Sequence, residues 1–128
     1  MAVTVGRTAL AEVNLVMAQG ANNSFAFIYY TDDTKTSTVD LSGYTARAQV
    51  RPRIGGDVSL DLTPMITLGG TDGRVDVVVP AAVTEALEIT SPYQCVWDLE
   101  LVDATAVPVR FAEGKVTIDP DVTRPVVP

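Results

Sequence analysis

The chain has 128 residues, 47% of them hydrophobic and 20% charged, which fits one globular domain with its own core. Its net charge of −7 argues against a nucleic-acid-binding surface, and its short, charge-interrupted apolar runs argue against a membrane span. The chain has no histidine, the commonest general base and metal ligand, and its one cysteine, Cys95, excludes an internal disulfide and indicates synthesis in a reducing compartment.

The N-terminal residues 1–20 fit two structures. Val13 and Met17 are spaced as on one face of a helix, but Val13, Leu15 and Met17 also alternate as they would in a strand. We predict a strand from about Glu12 onward.

Period-two alternation dominates the middle of the chain, in the segments YTARAQVR, GRVDVVVP and YQCVWDLEL. Such alternation is typical of half-buried antiparallel strands. The segment NSFAFIYY is apolar on both faces after Ser24, which indicates a central strand or one covered by another subunit. The predicted inward residues of the three alternating segments are Tyr44, Ala46, Ala48, Val50, Val75, Val77, Val79, Tyr93, Cys95, Trp97, Leu99 and Leu101.

The second half of the chain contains four further local predictions. The segment GGTDG, residues 69–73, has the composition of a hairpin turn. Pro80 suits the first position of a short helical turn near residues 80–88. The last strand changes its inward parity around Gly114, which predicts a β-bulge or bend in one strand rather than a separate hairpin. The tail, residues 119–128, is proline-rich and is expected to be extended.

Turn residues recur between these segments every eight to twelve residues or so, as in sandwiches and barrels. The sequence therefore predicts an all-β fold, an antiparallel β-sandwich of about seven to nine strands with one short helical turn. We expect a single domain over residues 1–128.

Asp98 and Glu100 are the candidate catalytic pair, because they lie two apart on the outward face of one strand. Two carboxylates about 5 Å apart can perform glycoside hydrolysis. The alternative is a solvated face on which these acids pair with Arg47 or Arg51 of a neighbouring strand. We favour the ion pairs and assign no catalytic residue.

Two acidic groups offer the oxygen ligands that calcium prefers. The first is Asp32, Asp33 and Asp40, and the second is Asp119 and Asp121. Neither follows a complete calcium-loop pattern, and aspartate is also a common turn residue. We therefore predict no metal site and no cofactor, with calcium left open. Cys95 is predicted to be a buried thiol.

Arginine supplies most of the positive charge of this acidic chain. Arginine is enriched at protein interfaces and pairs bidentately with carboxylates. The residues predicted to contact a neighbouring subunit are Arg47, Arg51, Arg53 and Arg124, although intramolecular cross-strand pairs explain such a set equally well.

Four segments occur in a distinctive order: VDLSGYTARAQVRP, GRVDVVVPAAVTEAL, YQCVWDLELVD and VRFAEGKVTIDPDVTR. Together, over about residues 39–124, they resemble small β-sandwich proteins encoded among the structural genes of tailed bacteriophages. The first 38 residues have no counterpart in that pattern.

The resemblance implies a non-enzymatic virion protein, made in the host cytoplasm, that acts as an adaptor of the tail, fibre, baseplate or neck. Its partners would be other virion structural proteins, in a homo-oligomer or a larger assembly, with no nucleic acid and no membrane. A carbohydrate-binding sandwich that contacts host glycans is the alternative. That function needs exposed aromatic side chains, for which the candidates are Tyr29, Tyr30, Tyr44 and Tyr93.

Overall fold

A computed structural model of the chain describes residues 11–31 and 34–122, together with the backbone of residues 2–5. This part of the chain contains ten strands, a 3-10 turn at Thr63–Met65 and a helix, α1, at Ala81–Glu85. The strands are β1 Ala2–Val5, β2 Ala11–Glu12, β3 Leu15–Ala18, β4 Asn23–Tyr29, β5 Thr45–Arg51, β6 Leu60–Asp61, β7 Ile66–Leu68, β8 Arg74–Val79, β9 Tyr93–Val102 and β10 Pro108–Asp119.

The strands form two sheets that pack as a sandwich. The smaller sheet has the order β1-β4-β8-β7, and the larger has β2-β10-β9-β5-β6 with β3 also paired to β10. β2 and β3 keep one register against β10, so they act as a single strand interrupted at residues 13–14, and the count of strands becomes nine. The predicted all-β sandwich is confirmed.

The N-terminal strands pair differently from the rest. β1 runs parallel to β4, and β2 and β3 run parallel to β10, whereas the other five pairings are antiparallel. The prediction of antiparallel pairing is therefore wrong for these strands, because alternation within a strand does not encode its direction relative to a neighbour. The strand predicted from Glu12 onward is confirmed.

The core lies between the sheets and contains nine of the twelve residues that alternation predicted to point inward, while Tyr44, Ala46 and Tyr93 are partly buried against it. Met17, Val50 and Leu99 have no exposed surface, and Trp97 is 4% exposed. Phe27 lies at the centre of the aromatic contacts, with its ring centroid 6.1 Å from those of both Trp97 and Phe111. β4 lies between β1 and β8 in the smaller sheet. Of the two explanations offered for the apolar segment NSFAFIYY, the central strand is therefore confirmed.

Two local predictions are corrected. β10 is one continuous strand, as expected, but its bulge falls between Arg110 and Ala112 and not at Gly114. Phe111 and Ala112 are both buried there, which shifts the inward parity of the strand. Pro80 is the N-cap of α1 and not its first residue. The hairpin turn at 69–73 is confirmed by the antiparallel β7–β8 pairing.

Gly114 has a different function from the one predicted, because it makes room for the N-terminal strand. A Cβ at Gly114 would lie 2.0 Å from the carbonyl oxygen of Val13. That carbonyl accepts a hydrogen bond from the indole Nε1 of Trp97 at 2.8 Å, and the side chain of Asn14 accepts one from the backbone N–H of Lys115 at 3.0 Å. The interrupted strand is thus tied to both β9 and β10.

Candidate functional site

The outer face of the larger sheet carries an open groove of about 760 Å³. Side chains from β2, β5, β9 and β10 line it, and the loop between β5 and β6 forms one wall. We call this feature the charged groove, because eight of its lining residues are ionisable: Glu12, Arg47, Arg51, Asp98, Glu100, Arg110, Glu113 and Lys115.

Strand register arranges these charges in rows across the sheet. Glu113 lies opposite Glu12 on one side and opposite Asp98 on the other, and we call these three residues the acidic row. On one side of it, Glu100 lies between Arg110 and Arg47. On the other side, Val96 lies between Lys115 and Arg51.

Ion pairs hold one side of this pattern in place, two of them between strands and one within β10. The Arg47 Nε donates to a carboxylate oxygen of Glu100 at 2.7 Å. The guanidinium of Arg110 lies 3.3 Å from the carboxylate of Glu113 and 3.8 Å from that of Asp98. The predicted pairing of Arg47 with this acid pair is confirmed, while the partner of Asp98 is Arg110, which sequence spacing did not identify.

Asp98 is the acid whose ionisation the groove opposes. Partial burial raises the pKa of its carboxyl group above the ordinary value of 3.8, and the negative charge of Glu100 raises it further. The nearby Arg110 opposes this rise but does not cancel it. Arg110 is the arginine that contacts the acidic row, within 4 Å of both Asp98 and Glu113, while Glu12 at the end of the row is exposed.

Arg51 organises the loop beside the groove. It donates to the side-chain oxygen of Gln49 at 2.7 Å and to the backbone carbonyl of Gly56. Within the loop, the N–H of Gly56 donates to the carbonyl of Arg53 at 2.9 Å, and Gly55 has φ +81°, where glycine is favoured. These bonds define a tight turn, which we call the projecting loop, residues 52–59.

The projecting loop presents four exposed side chains, those of Arg53, Ile54, Asp57 and Val58. Ile54 is 93% exposed, and Arg53 is also exposed. Of the four arginines predicted to contact a neighbour, the structure places Arg47 and Arg51 in the charged groove and Arg53 on the adjacent loop. Arg124 lies outside the described residues. Sequence reasoning missed Arg110 and Ile54 as parts of this surface, because only the strand order and the loop fold bring them to it.

The calcium candidates are not assembled into a site in the part of the chain that the structure describes. Over those residues, no group of three or more metal-ligating side chains was found. The carboxylate of Asp40 accepts from the backbone N–H of Ser42 at 2.9 Å, which lowers the pKa of Asp40 and is typical of a turn. Asp32 and Asp33 lie outside the described residues.

Other predicted features have structural roles. Cys95 is buried, and burial raises the pKa of its thiol, so the reactive thiolate is disfavoured. Among the described residues, no helix is both long and apolar enough to cross a bilayer.

A shallow cavity of about 500 Å³ lies beside the connection between α1 and β9. Tyr93 lines it, and the Tyr93 hydroxyl lies 2.9 Å from the hydroxyl oxygen of Ser59. Of the tyrosines proposed for glycan binding, Tyr29 is buried, whereas Tyr30, Tyr44 and Tyr93 are half-buried.

Comparisons of the chain with protein-family models and with curated proteins found no match. The charged groove is therefore interpreted from its own geometry.

Proposed function

We propose that the chain is a non-enzymatic structural protein of a tailed-phage virion, an adaptor that acts through contacts with neighbouring subunits. The charged groove is the observation that carries this proposal. It combines ordered rows of opposite charge with a hydrogen-bonded projecting loop, and both are suited to recognising a protein surface of complementary charge.

The chemistry of the acid pair supports binding over hydrolysis. Glu100 accepts a short hydrogen bond from Arg47, and Asp98 faces Arg110 across the strand pair. Cross-strand ion pairs of this kind fix the register and surface charge of a sheet. The carboxylates are thus engaged in the organisation of the surface.

The four segments behind the phage resemblance correspond to structural units that follow one another in chain order, with β6 and β7 between the first and the second. They comprise the turn into β5, then β8 with α1, then β9, and finally β10. Three of these strands, β5, β9 and β10, form the floor of the charged groove. The part of the sequence that carries the resemblance therefore also builds the candidate interaction surface.

The proposal is tested on purified particles of the phage that encodes the chain. We expect the protein to remain with density-gradient-purified particles at a fixed ratio to the major structural proteins. Antibody labelling in electron microscopy should locate it at one part of the particle. A chain made during infection but removed completely by purification would contradict the proposal.

The second candidate function is glycan binding at the cavity beside Tyr93, where an aromatic ring lies near the hydroxyl groups of Ser59, Thr90 and Ser91. Aromatic faces with nearby polar groups are a common arrangement in ligand sites. A glycan array distinguishes the candidates. Binding that Tyr93→Ala abolishes would support this function, and an array without any binding would remove it.

A further inference from the structure

We infer that the charged groove receives the projecting loop of a second copy of this chain, with Arg53 against the acidic row and Ile54 against Val96. The inference rests on the proposed function in that both require subunit contacts. It goes further because it names the partner and the residues on both sides of the contact.

Hydrogen bonds already order the projecting loop within a single chain. Its turn is closed by the Gly56–Arg53 hydrogen bond, and its base is held by Arg51 and by the bond from Ser59 N–H to the carbonyl of Val50 at 2.7 Å. A loop that is already ordered loses little conformational entropy on binding. The turn nevertheless leaves Ile54 93% exposed, so this side chain has most of its apolar surface available for burial against a partner.

The groove offers a complement to Arg53 and to Ile54. The acidic row places three carboxylates side by side in register, an arrangement that suits the guanidinium of Arg53. Val96 is the outward apolar residue between Lys115 and Arg51, and it is half-buried, so part of its surface remains open. Ile54 of the same chain lines the groove, yet its high exposure shows that it does not cover Val96.

The position of loop and groove on the same face favours a second copy over a different protein. At a twofold contact, residue i of one subunit meets residue j of the other, and the reverse contact is also made. In a twofold dimer, the loop of each subunit can therefore enter the groove of the other, so the same contact is made twice.

Charge exchange between two variants provides the main test. Arg53→Glu places a carboxylate against the acidic row, and Glu113→Arg places a cation against Arg53, so each variant alone should self-associate at least about tenfold more weakly. In an equimolar mixture, the carboxylate introduced in one chain meets the guanidinium introduced in the other, while the second loop and groove keep their native pair. The mixture should therefore regain dimers, measured by sedimentation across a concentration series.

Two controls separate the contact from unfolding and from net charge. Lys35→Glu makes the same charge change as Arg53→Glu in a different exposed loop and should leave self-association unchanged. Ile54→Ser should weaken it, whereas Val78→Ser, which truncates an exposed valine on the other sheet, should not. Thermal unfolding of every variant shows whether the fold is retained.

Cross-linking gives an independent measurement on the unmodified protein. The chain has two lysines, Lys115 at the groove and Lys35 in a distant part of the sequence. An amine-reactive cross-linker should join two copies mainly through Lys115, and Arg53→Glu should abolish that product.

A native chain that is monomeric at every concentration would overturn the inference, as would a dimer that the Arg53 and Glu113 variants leave intact. If the chain is monomeric but present in purified particles, the inference fails and the proposed function stands. Loss of binding to another virion protein in the same two variants would assign the groove to that protein and overturn the homotypic contact.

Discussion

The two faces of strand β9 are built on different principles. Its inward residues, among them Trp97 and Leu99, are packed in the apolar core, and its outward residues Asp98 and Glu100 are held by charge. In a close-packed core, the loss or gain of a single methylene group lowers the free energy of unfolding, whereas an exposed ion pair contributes little to it. The comparison teaches that the inner face determines whether the sandwich forms, while the outer face is free to be specialised for binding.

The largest expected effect is on the inner face, at Gly114. Gly114→Ala places a Cβ within 2.0 Å of the Val13 carbonyl oxygen, so the N-terminal strand must move. We expect a loss of about 3 kcal/mol or more in the free energy of unfolding, measured by urea denaturation. Gly70→Ala is the matched control, because its nearest neighbour is the Ser42 hydroxyl at 3.6 Å. Equal effects at both glycines would contradict this account of the strand.

A smaller effect is expected at Trp97. Trp97→Phe keeps an aromatic ring but removes the donor to the Val13 carbonyl, leaving a buried acceptor without that bond. The expected loss is about 2 kcal/mol. Hydrogen exchange should increase first in the N-terminal strand around Leu15, because the lost bond tied that strand to β9. Phe111→Leu, which alters the core without removing this bond, should lower stability without that local pattern.

On the outer face, removal of the Arg47–Glu100 pair should change little. The Arg47 side chain is 59% exposed, so water screens the interaction. We expect a coupling free energy below about 1 kcal/mol in a double-mutant cycle with Arg47→Gln and Glu100→Gln. A coupling comparable to the effect of Gly114→Ala would remove the distinction between the two faces.

The smallest expected effect is a pH-dependent one at Asp98. The pKa of this carboxyl group is raised in the folded state, so its protonation stabilises the fold at low pH, and that contribution is lost as pH rises through the folded pKa. Asp98→Asn should therefore be slightly more stable than the native chain at pH 7, with the advantage disappearing below the ordinary pKa of 3.8.

Asp103→Asn should show the opposite sign. Hydrogen bonds from the Thr105 hydroxyl and the Val107 backbone N–H lower the pKa of Asp103. The ionised carboxylate thus stabilises the fold above its unfolded pKa, and the asparagine variant should be less stable at pH 7. Stability curves of both variants across the acidic range provide the measurement, and shifts of the same sign would refute the assignment.

The sequence by itself determined which residues point inward. Alternation in YTARAQVR and YQCVWDLEL assigned Val50 and Trp97 to the core, since a strand has a side-chain period of two whatever its neighbours are. The composition of residues 69–73 likewise located a hairpin turn. Glycine and aspartate favour turns through the backbone conformation of a few neighbouring residues, which does not depend on distant parts of the chain.

Only the tertiary structure decided which strands are neighbours. Asp98 is paired with Arg110 because β10 lies beside β9 in the sheet. The bulge at Phe111, and not Gly114, sets the side chains of Arg110 and Glu113 on one face. Gly114 illustrates the same limit: its local pattern suggested a bend, but the constraint on it comes from Val13, which is 101 residues away. Strand order and packing depend on contacts between distant segments, and no local period in a single sequence specifies them.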